Sequence, residues 1–503
     1  MTIISNKLTS HVVVGVGKAS DLRTYLPATL DSHLVNQAIL QAKQTAFTGK
    51  LGEAVTLHLA KDKGFITLIL VGVCGHTGTV NAFRELGAFV ADYCKNFKPE
   101  AVSFCIHGVI STDLSDEMQT TQFLFGFSQA VYNLENDQNV HINLPMPKEV
   151  HILGGSKTLV NFLQNNLLPI LKGSEFSRML ANTPPNLMMP EHFLKHCKDE
   201  LEPLGVTVSC LDHNDLESEQ MNLLLAVGKG SVHKPKLIVL EWKNNKKSNP
   251  IALVGKGLMF DSGGYCVKPG AGQYSMKLDM TGAASIAGAM KTIALQNIDL
   301  PIVAVIAAAE NSIHSDAYCP DDILHAHSGH TVEIIDTDAE GRLALADALS
   351  YTVKYFDPRC IIDAATLTYA AIVIMGSYYI PFCSNNDQLA ADLEEAGRIS
   401  GDLAWRAPFA PQEYLESHIA DLKNVGKVFY PHVKGSSGHA CGSGIGATFL
   451  QNFIPEDTPW AHLDLIGASV EWKNGSLRAY RHSHSGENVA LLVTYLQGVA
   501  TKE

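Results

Sequence analysis

The sequence has no long apolar run, no paired cysteine motif and no leader-like start. No stretch of 18 apolar residues occurs, although a membrane-spanning helix needs about 20. The ten cysteines are scattered, without a C-x-x-C pair, which favours a reducing compartment and thiols that act as small core residues. The N-terminus lacks the basic start, apolar run and cleavage site of a signal peptide. We therefore expect a cytoplasmic protein with no membrane partner.

Basic residues are also scarce relative to acidic ones. The 38 lysines and arginines against 51 aspartates and glutamates give a formal charge of −13, which opposes nucleic-acid binding without excluding it. The chain is 46% apolar and 18% charged, as is typical of a globular protein and not of a disordered one. At 503 residues it is too long for a single ordinary core, so we expect two domains.

Strand and helix patterns alternate along the chain, which indicates an α/β fold. We predict an N-terminal α/β domain over residues 1–156, a connecting helical segment over 157–185 that is interrupted near Gly173, and a larger domain over 186–503. In the larger domain we expect a central mixed sheet flanked by helices. Its predicted strands cover residues 236–241, 251–254, 302–307, 331–335, 360–363 and 460–465.

Four carboxylates of the larger domain lie near predicted strand ends or helix starts. Asp261 follows the strand over 251–254 and a loop with two glycines, and Asp338 and Glu340 follow the strand over 331–335 in the same way. Asp279 lies just before a helix start that is rich in small residues. Ligands of open α/β sheets gather beyond the carboxyl ends of the strands. Carboxylates collected there repel one another unless positive charge lies between them, and hard divalent cations suit carboxylate oxygens. Two such ions can share a hydroxide and stabilise a tetrahedral transition state.

Three cationic residues lie within the same motifs. Near carboxylates, Lys256 or Lys268 can lose its proton and ligate a metal, or stay charged and polarise a carbonyl oxygen. Arg342 can hold a small anion through two parallel hydrogen bonds. Each residue taken alone is more simply explained as a helix cap, a solvated carboxylate or a surface lysine. The joint pattern, and no single member of it, predicts a metal site.

These motifs resemble those of the cytosolic leucyl aminopeptidase family, the two-metal M17 peptidases. The octamer from Asp336 to Leu343 matches the family's Asn-Thr-Asp-Ala-Glu-Gly-Arg-Leu at seven of eight places. The resemblance covers most of the chain from Thr183 to Leu496, and the N-terminal domain resembles the family only in its general α/β character. Further matching motifs lie at 254–257, 260–264, 268–269, 276–280, 363–368, 405–406 and 460–464.

The resemblance implies a release of N-terminal amino acids from peptides by attack of a metal-bridging hydroxide. It implies two divalent ions per subunit, zinc or manganese and alternatively magnesium, with bicarbonate as the general base. Lys268 would polarise the scissile carbonyl, and Arg342 would hold the bicarbonate. One ion would be held by Lys256, Asp261, Asp279 and Glu340, and the other by Asp261, Asp338 and Glu340. The residues implied in substrate binding are Met276, Asp336, Thr366, Leu367 and Tyr369.

The resemblance also implies a macrodomain-like N-terminal part and a homohexamer whose sites face an inner cavity. Two positions depart from the family: Asp336 replaces the asparagine of the octamer, and Tyr369 stands where the family has a glycine. We hypothesise that Asp336 favours a basic second substrate residue. Tyr369 either blocks the close approach of the substrate backbone, reshapes the pocket or points away from it. The segment 427–443 is longer than the family leads us to expect and is interpreted as an active-site or oligomer loop.

Two other functions remain open at this level. A narrower dipeptidase, acting on Cys-Gly or similar substrates, fits a pocket restricted by Tyr369. A catalytically silent family member with an assembly or binding role is opposed by the presence of every expected ligand type. Lys256 in particular is a poor structural choice beside carboxylates unless it has a function.

Overall fold

The structure is a computed structural model with two compact units, the first ending at Leu171 and the second beginning at Lys172. It describes residues 2–5, 7–94, 97, 99–105, 110, 112–130, 147–243, 248–376, 379–426, 441–465, 486 and 488–502. The domain limits predicted from the sequence stay predictions. Among the helices described, none is both long and apolar enough to span a bilayer.

The first unit is a sheet in the order β1-β6-β5-β2-β4-β3, parallel except for the pair β3 and β4. Its middle strand β2 carries the fully buried run Val12 to Val14, as expected of a parallel strand covered on both faces. The strands are β1 Thr2–Ser5, β2 His11–Val16, β3 Ala54–Ala60, β4 Phe65–Gly72, β5 Ala101–Cys105 and β6 Glu149–Ile152. The helices are α1 Leu22–Tyr25, α2 Ser32–Ala42, α3 Val80–Cys94, α4 Asp116–Ala130 and α5 Lys157–Phe162.

The connecting helix is not interrupted at Gly173, so that prediction is wrong. A π-helical turn at Leu163–Leu167 follows α5, and α6 then runs unbroken over Leu168–Asn182. A Cβ atom at Gly173 would collide with Thr292 Oγ1 and with the carbonyl oxygen of Gly288. The glycine therefore serves the close approach of two helices and does not end one.

The second unit contains a mixed sheet, and the predicted two-domain α/β architecture is confirmed. Within the described residues the sheet has the order β15-β14-β17-β13-β9-β10-β8-β7. The four strands β17, β13, β9 and β10 are parallel, whereas β14 and β8 pair antiparallel on either side of them. The strands are β7 Thr207–Leu211, β8 Lys236–Trp242, β9 Ile251–Asp261, β10 Ile302–Asn311, β13 Cys360–Ala365, β14 Ile380–Ser384, β15 Ala404–Arg406 and β17 Trp460–Asp464.

Helices cover the mixed sheet, and small residues let one of them, α11 (Thr281–Gln296), pack closely. In α11, every residue from Thr281 to Met290 is buried. A Cβ atom at Gly255 of β9 would lie 2.9 Å from the Cα atom of Ala283 in this helix. The helices of the unit are α7 Pro190–Leu201, α8 His213–Ser218, α9 Asn222–Gly228, α10 Gly270–Gln273, α11 Thr281–Gln296, α12 Glu340–Phe356, α13 Ala370–Met375, α14 Asp387–Ser400, α15 Gly442–Gln451 and α16 Val489–Lys502.

Two of the predicted strands differ from the observed ones near the acidic motifs. The strand predicted over 251–254 continues as β9 through both glycines to Asp261, so there is no intervening loop. The strand predicted over 331–335 is the short β12 Thr331–Glu333, which belongs to a separate three-stranded sheet with β11 Ile323–His325 and β16 Leu422–Lys423. Asp338 and Glu340 therefore reach the site from a loop and a helix start.

We expect Gly173→Ala to destabilise the second unit by about 1–3 kcal/mol, because the added methyl group overpacks the contact with α11. Gly498 in α16 is the matched control, since a Cβ atom there meets nothing within 4 Å. Gly498→Ala should stabilise its helix by about 0.5–1 kcal/mol. Denaturant unfolding followed by circular dichroism measures both, and equal stability of the Gly173 variant and the parent would contradict the packing argument.

Candidate metal centre and active site

The last residue of β9, Asp261, lies at the carboxyl end of the sheet's middle strands. Its Oδ1 atom accepts hydrogen bonds from the backbone N–H of Gly263 at 2.9 Å and from Asn311 Nδ2 at 2.8 Å. Its Oδ2 atom lies 2.6 Å from Lys268 Nζ. One oxygen of this buried carboxylate is thus held by the protein, and the other faces a cluster of charged groups.

The second charged group of β9, Lys256, is almost fully buried. Its Nζ atom lies 2.9 Å from Asp279 Oδ2 and 2.9 Å from Glu340 Oε1, and it donates to the Thr366 carbonyl oxygen at 2.9 Å. A Cβ atom at Gly341 would lie 2.5 Å from Lys256 Cε and 2.6 Å from Nζ. The glycine of the octamer therefore leaves the space that the lysine head group fills.

Two buried carboxylates arrive from other elements. Asp279 belongs to the short 3-10 helix Met276–Met280, and Glu340 is the first residue of α12. The positive end of the α12 dipole favours an acidic residue at that position. Asp279 Oδ1 accepts a hydrogen bond from Thr366 Oγ1 at 2.8 Å. Glu340 Oε2 is buried and accepts no hydrogen bond within the described part of the chain. Asp279 Oδ2 is also buried, and Lys256 Nζ lies 2.9 Å from it as an ion-pair partner.

The fourth carboxylate, Asp338, is presented by a turn at the front of the octamer. Its backbone N–H donates to Asp336 Oδ1 at 2.9 Å, which is a common way for an aspartate to stabilise a turn. Lys268 Nζ forms ion pairs with both Asp338 Oδ1 and Asp261. Ligand oxygens of Asp261, Asp338 and Glu340 all lie within 4.8 Å of one another.

The electrostatics of this cluster call for additional positive charge. Burial raises the pKa of Asp279 to about 8, and the neighbouring carboxylate of Glu340 adds to the effect. Burial and Glu340 likewise raise the pKa of Asp261 to about 6. Burial alone would lower the pKa of Lys256, but the carboxylates of Asp279 and Glu340 outweigh it and raise that pKa. Four carboxylates and two ammonium groups still leave two negative charges when all are ionised.

This donor set fits divalent metal ions. Hard cations prefer carboxylate oxygens, and the buried Glu340 Oε2 atom has no hydrogen-bond donor among the described residues. Such an unsatisfied buried oxygen is costly unless a cation or proton lies beside it. The five residues implied as ligands, Lys256, Asp261, Asp279, Asp338 and Glu340, are brought together, and Lys268 lies among them.

The second cation implied in catalysis, Arg342, is buried near the start of α12. Its guanidinium group donates to the carbonyl oxygen of Val425. Its Nε atom is buried and has no hydrogen-bond acceptor among the described residues. Burial lowers the pKa of Arg342 to about 10, so the side chain stays charged at neutral pH. A buried, charged and incompletely satisfied guanidinium fits the binding of a small anion.

The candidate substrate residues have more varied surroundings. Thr366 touches the cluster directly, through its hydroxyl to Asp279 and its carbonyl oxygen to Lys256. Leu367 donates its backbone N–H to Asp464 Oδ1 at 3.1 Å. Met276 is half-buried at the start of the 3-10 helix that carries Asp279. Tyr369 precedes α13 and is 59% exposed.

Asp336 is half-buried and has a structural partner besides Asp338. Its carbonyl oxygen accepts a hydrogen bond from Asn424 Nδ2 at 2.8 Å, and Asn424 Oδ1 accepts the N–H of Ile335 at 2.6 Å. Of the segment 427–443, residues 427–440 lie outside the described part of the chain.

Three uncharged residues, which the sequence did not predict, support the segments that carry the cluster. Asn311 reaches Asp261, and Tyr318 donates its hydroxyl to the Thr337 carbonyl oxygen at 3.0 Å. Thr337 Oγ1 donates to the Gly263 carbonyl oxygen at 2.7 Å and accepts the N–H of Cys266 at 2.8 Å. Of the three, Asn311 had one feature that could have indicated a role at the site, namely its position at the end of β10, the strand that pairs with β9.

Comparisons with known proteins point to one family. Residues 175–493 match the model of the cytosol aminopeptidase family catalytic domain, and residues 13–136 match that of the family's N-terminal domain. A probable cytosol aminopeptidase from Rickettsia canadensis is 34% identical over 463 residues, which are 89% of each chain.

Solved structures agree with this match. The cytosol aminopeptidase of Coxiella burnetii superposes with a TM-score of 0.79 at 28% identity, covering 99% of both chains. A mutant of tomato leucine aminopeptidase gives a TM-score of 0.80 at 26% identity, covering 99% of this chain and 96% of that one.

We expect Gly341→Ala to weaken Mn²⁺ binding by about tenfold or more, because the methyl group displaces Lys256 from between Asp279 and Glu340. Gly270→Ala is the matched control, since a Cβ atom there meets nothing within 4 Å. Competition with a chromogenic chelator measures the affinity of each variant. Equal Mn²⁺ affinities of the two variants would contradict the packing role assigned to Gly341.

Proposed function

The chain belongs to the cytosol aminopeptidase family and is a metal-dependent hydrolase that removes N-terminal residues from peptides; on this premise we propose how its site works. The observation that carries the proposal is the buried cluster in which oxygens of Asp261, Asp338 and Glu340 lie within 4.8 Å of one another. The comparisons give no support to the narrow dipeptidase or to the silent member.

We propose that two divalent ions are held by the clustered side chains. Lys256, Asp261, Asp279 and Glu340 would hold one, and Asp261, Asp338 and Glu340 the other, with Asp261 and Glu340 shared. When bound, the ions supply a Lewis acid and lower the pKa of water. Oxygen-rich donors with one amine suit zinc or manganese, and magnesium is the alternative. Lys256 would ligate as a neutral amine, because the ions replace the positive charge that its ammonium now provides.

Lys268 is proposed to stabilise negative charge on the scissile carbonyl oxygen. Its Nζ atom pairs with Asp261 and Asp338, and its side chain is 17% exposed, compared with 3% for Lys256. Burial would lower the pKa of Lys268, but Asp261 and its neighbouring carboxylates outweigh burial and raise that pKa. A charged ammonium at the open side of the cluster is suited to a carbonyl oxygen that becomes negative in the transition state.

Arg342 is proposed to hold a bicarbonate ion, which when bound would supply a general base for the attacking water. The support is its buried Nε atom, which no described acceptor satisfies. The guanidinium group would orient the anion through its N–H donors. It stays charged at neutral pH, because burial lowers the pKa of Arg342 only to about 10.

The site also suits a substrate that carries a free N-terminal amine, because a neutral amine nitrogen would be a ligand for one of the two divalent ions. We propose that the first two substrate residues contact Met276, Asp336, Thr366, Leu367 and Tyr369. On the resemblance of the sequence motifs alone, we propose that the protein forms a homohexamer in the cytoplasm. On the same basis we propose an N-terminal domain over 1–156, a connecting segment over 157–185 and a catalytic domain over 186–503.

Removal of metal should abolish the hydrolysis of leucine amide, and addition of Mn²⁺ or Zn²⁺ should restore it, because the ions supply the Lewis acid. Asp338→Asn should reduce bound metal, measured by elemental analysis, whereas Asp316→Asn should not, since the Asp316 side chain is 70% exposed. Hydrolysis that survives after elemental analysis has shown complete metal removal would overturn the proposed function.

Asp336→Asn should remove a preference for a basic second residue, because it removes one negative charge near the site. We expect the parent to hydrolyse Leu-Lys faster than Leu-Glu, by about two- to tenfold for one partly screened charge, and the variant to hydrolyse them at similar rates. An asparagine oxygen can still accept the N–H of Asp338, so the turn is kept. Equal kcat/KM of the parent for the two dipeptides would refute the hypothesis.

A further inference from the structure

A buried neutral residue, Asn311, connects two of the chain segments that carry the proposed metal-binding carboxylates, those of Asp261 and Asp338. It ends β10 and is 1% exposed. Its Nδ2 atom donates to Asp261 Oδ1 at 2.8 Å and to the Thr337 carbonyl oxygen at 3.0 Å. Both hydrogens of the side-chain amide are therefore used, one on each segment.

The backbone of the same residue holds the strand end from the other side. The Asn311 carbonyl oxygen accepts the N–H of Ser262 at 3.0 Å and the Ser262 hydroxyl at 2.7 Å. The register between β9 and β10 shifts between Ala309 and Asn311, so that Asn311 lies opposite Asp261. A local irregularity of the sheet thus brings the amide beside the carboxylate.

The two carboxylate oxygens of Asp261 have different partners. Oδ1 accepts from Gly263 and Asn311, whereas Oδ2 lies on the side of Lys268 Nζ. A neutral amide can do this because it donates without adding charge. An aspartate in its place would lose the donor and set a further carboxylate beside Asp261, which raises the cost of keeping Asp261 ionised.

The second hydrogen bond of the Asn311 amide goes to the octamer, at the Thr337 carbonyl oxygen. The Thr337 carbonyl belongs to the peptide group that leads into Asp338, so fixing it limits where Asp338 can turn. Tyr318 donates to the same carbonyl oxygen at 3.0 Å. Asn311 differs from Tyr318 in touching a carboxylate as well.

We propose that Asn311 is a positioning residue of the metal centre, fixing the carboxylate of Asp261 relative to the segment of Asp338 so that both face one ion. The inference rests on the proposed function, since it requires that these carboxylates bind metal. Partners behind ligating carboxylates commonly change metal affinity by about 10–100-fold when they are removed.

The test measures Mn²⁺ affinity of metal-stripped full-length protein by competition with a chromogenic chelator. Asn311→Asp and Asn311→Ala should each bind Mn²⁺ about 10–100-fold more weakly than the parent. Two variants are used because the alanine form leaves a cavity and the isosteric aspartate form does not. Circular dichroism of the metal-free proteins verifies that each variant is folded.

Two control variants separate positioning of Asp261 from general loosening of the buried network. Tyr318→Phe removes the other donor to Thr337 and keeps the contact between Asn311 and Asp261, so its affinity should fall by less than about threefold. Asn385 also joins two segments, donating to the Thr458 carbonyl and accepting the N–H of Trp460. These partners of Asn385 are not carboxylates of the cluster. Asn385→Asp should therefore leave the Mn²⁺ affinity within about twofold of that of the parent.

A double-mutant comparison identifies the route of the effect. If Asn311 acts through Asp261, Asn311→Ala should weaken Mn²⁺ binding much less in the Asp261→Asn background than in the parent. An undiminished effect in that background, or parental affinity in both Asn311 variants, overturns the inference while leaving the metal centre in place. A parent protein that binds no Mn²⁺ would instead overturn the proposed function together with this inference.

Discussion

The burial of four carboxylates in one small volume is the constraint on which the active site depends. Removing a single ion from water costs several kcal/mol even after the protein relaxes, so an acidic cluster of this kind needs opposite charge close by. Lys256 and Lys268 supply part of it, at 2.6–2.9 Å from Asp261, Asp279 and Glu340. Four carboxylates and two ammonium groups leave a net negative charge, and Glu340 Oε2 has no donor among the described residues. Metal ions supply the missing positive charge without a proton.

The fold meets this constraint by bringing unlike elements to one sheet edge. The middle strand β9 contributes both Lys256 and Asp261, a short 3-10 helix contributes Asp279, and the start of α12 contributes Glu340. Close packing makes the arrangement rigid, since α11 rests on a glycine of β9 and Lys256 fills the space beside Gly341. Rigid carboxylates lose little entropy when a metal binds, which is the physical advantage of building the site on strands and helix ends.

The sequence predicted the charged members of this site because spacing within short motifs survives folding. The octamer keeps Asp338, Glu340 and Arg342 near one another in any conformation that begins a helix there. It did not predict that β9 runs straight through two glycines, because glycine disfavours strands unless a neighbouring helix needs the space. Nor did it predict Asn311 and Tyr318, which are neutral. Asn311 reaches the site through the pairing of β9 with β10, and Tyr318 lies 57 residues after Asp261 in the sequence (318 − 261 = 57). Such long-range contacts leave no periodic trace.

The two lysines illustrate why position, and not residue type, assigns a role. Lys256 is enclosed by Asp279, Glu340 and the Thr366 carbonyl oxygen, with only 3% of its side chain exposed. Lys268 lies on a loop beyond β9, pairs with Asp261 and Asp338, and keeps 17% exposure. Lys268 is thus the more accessible of the two ammonium groups to an incoming carbonyl group. Under the proposed function, the same chemical group would be part of the metal site at one position and a partner for substrate at the other.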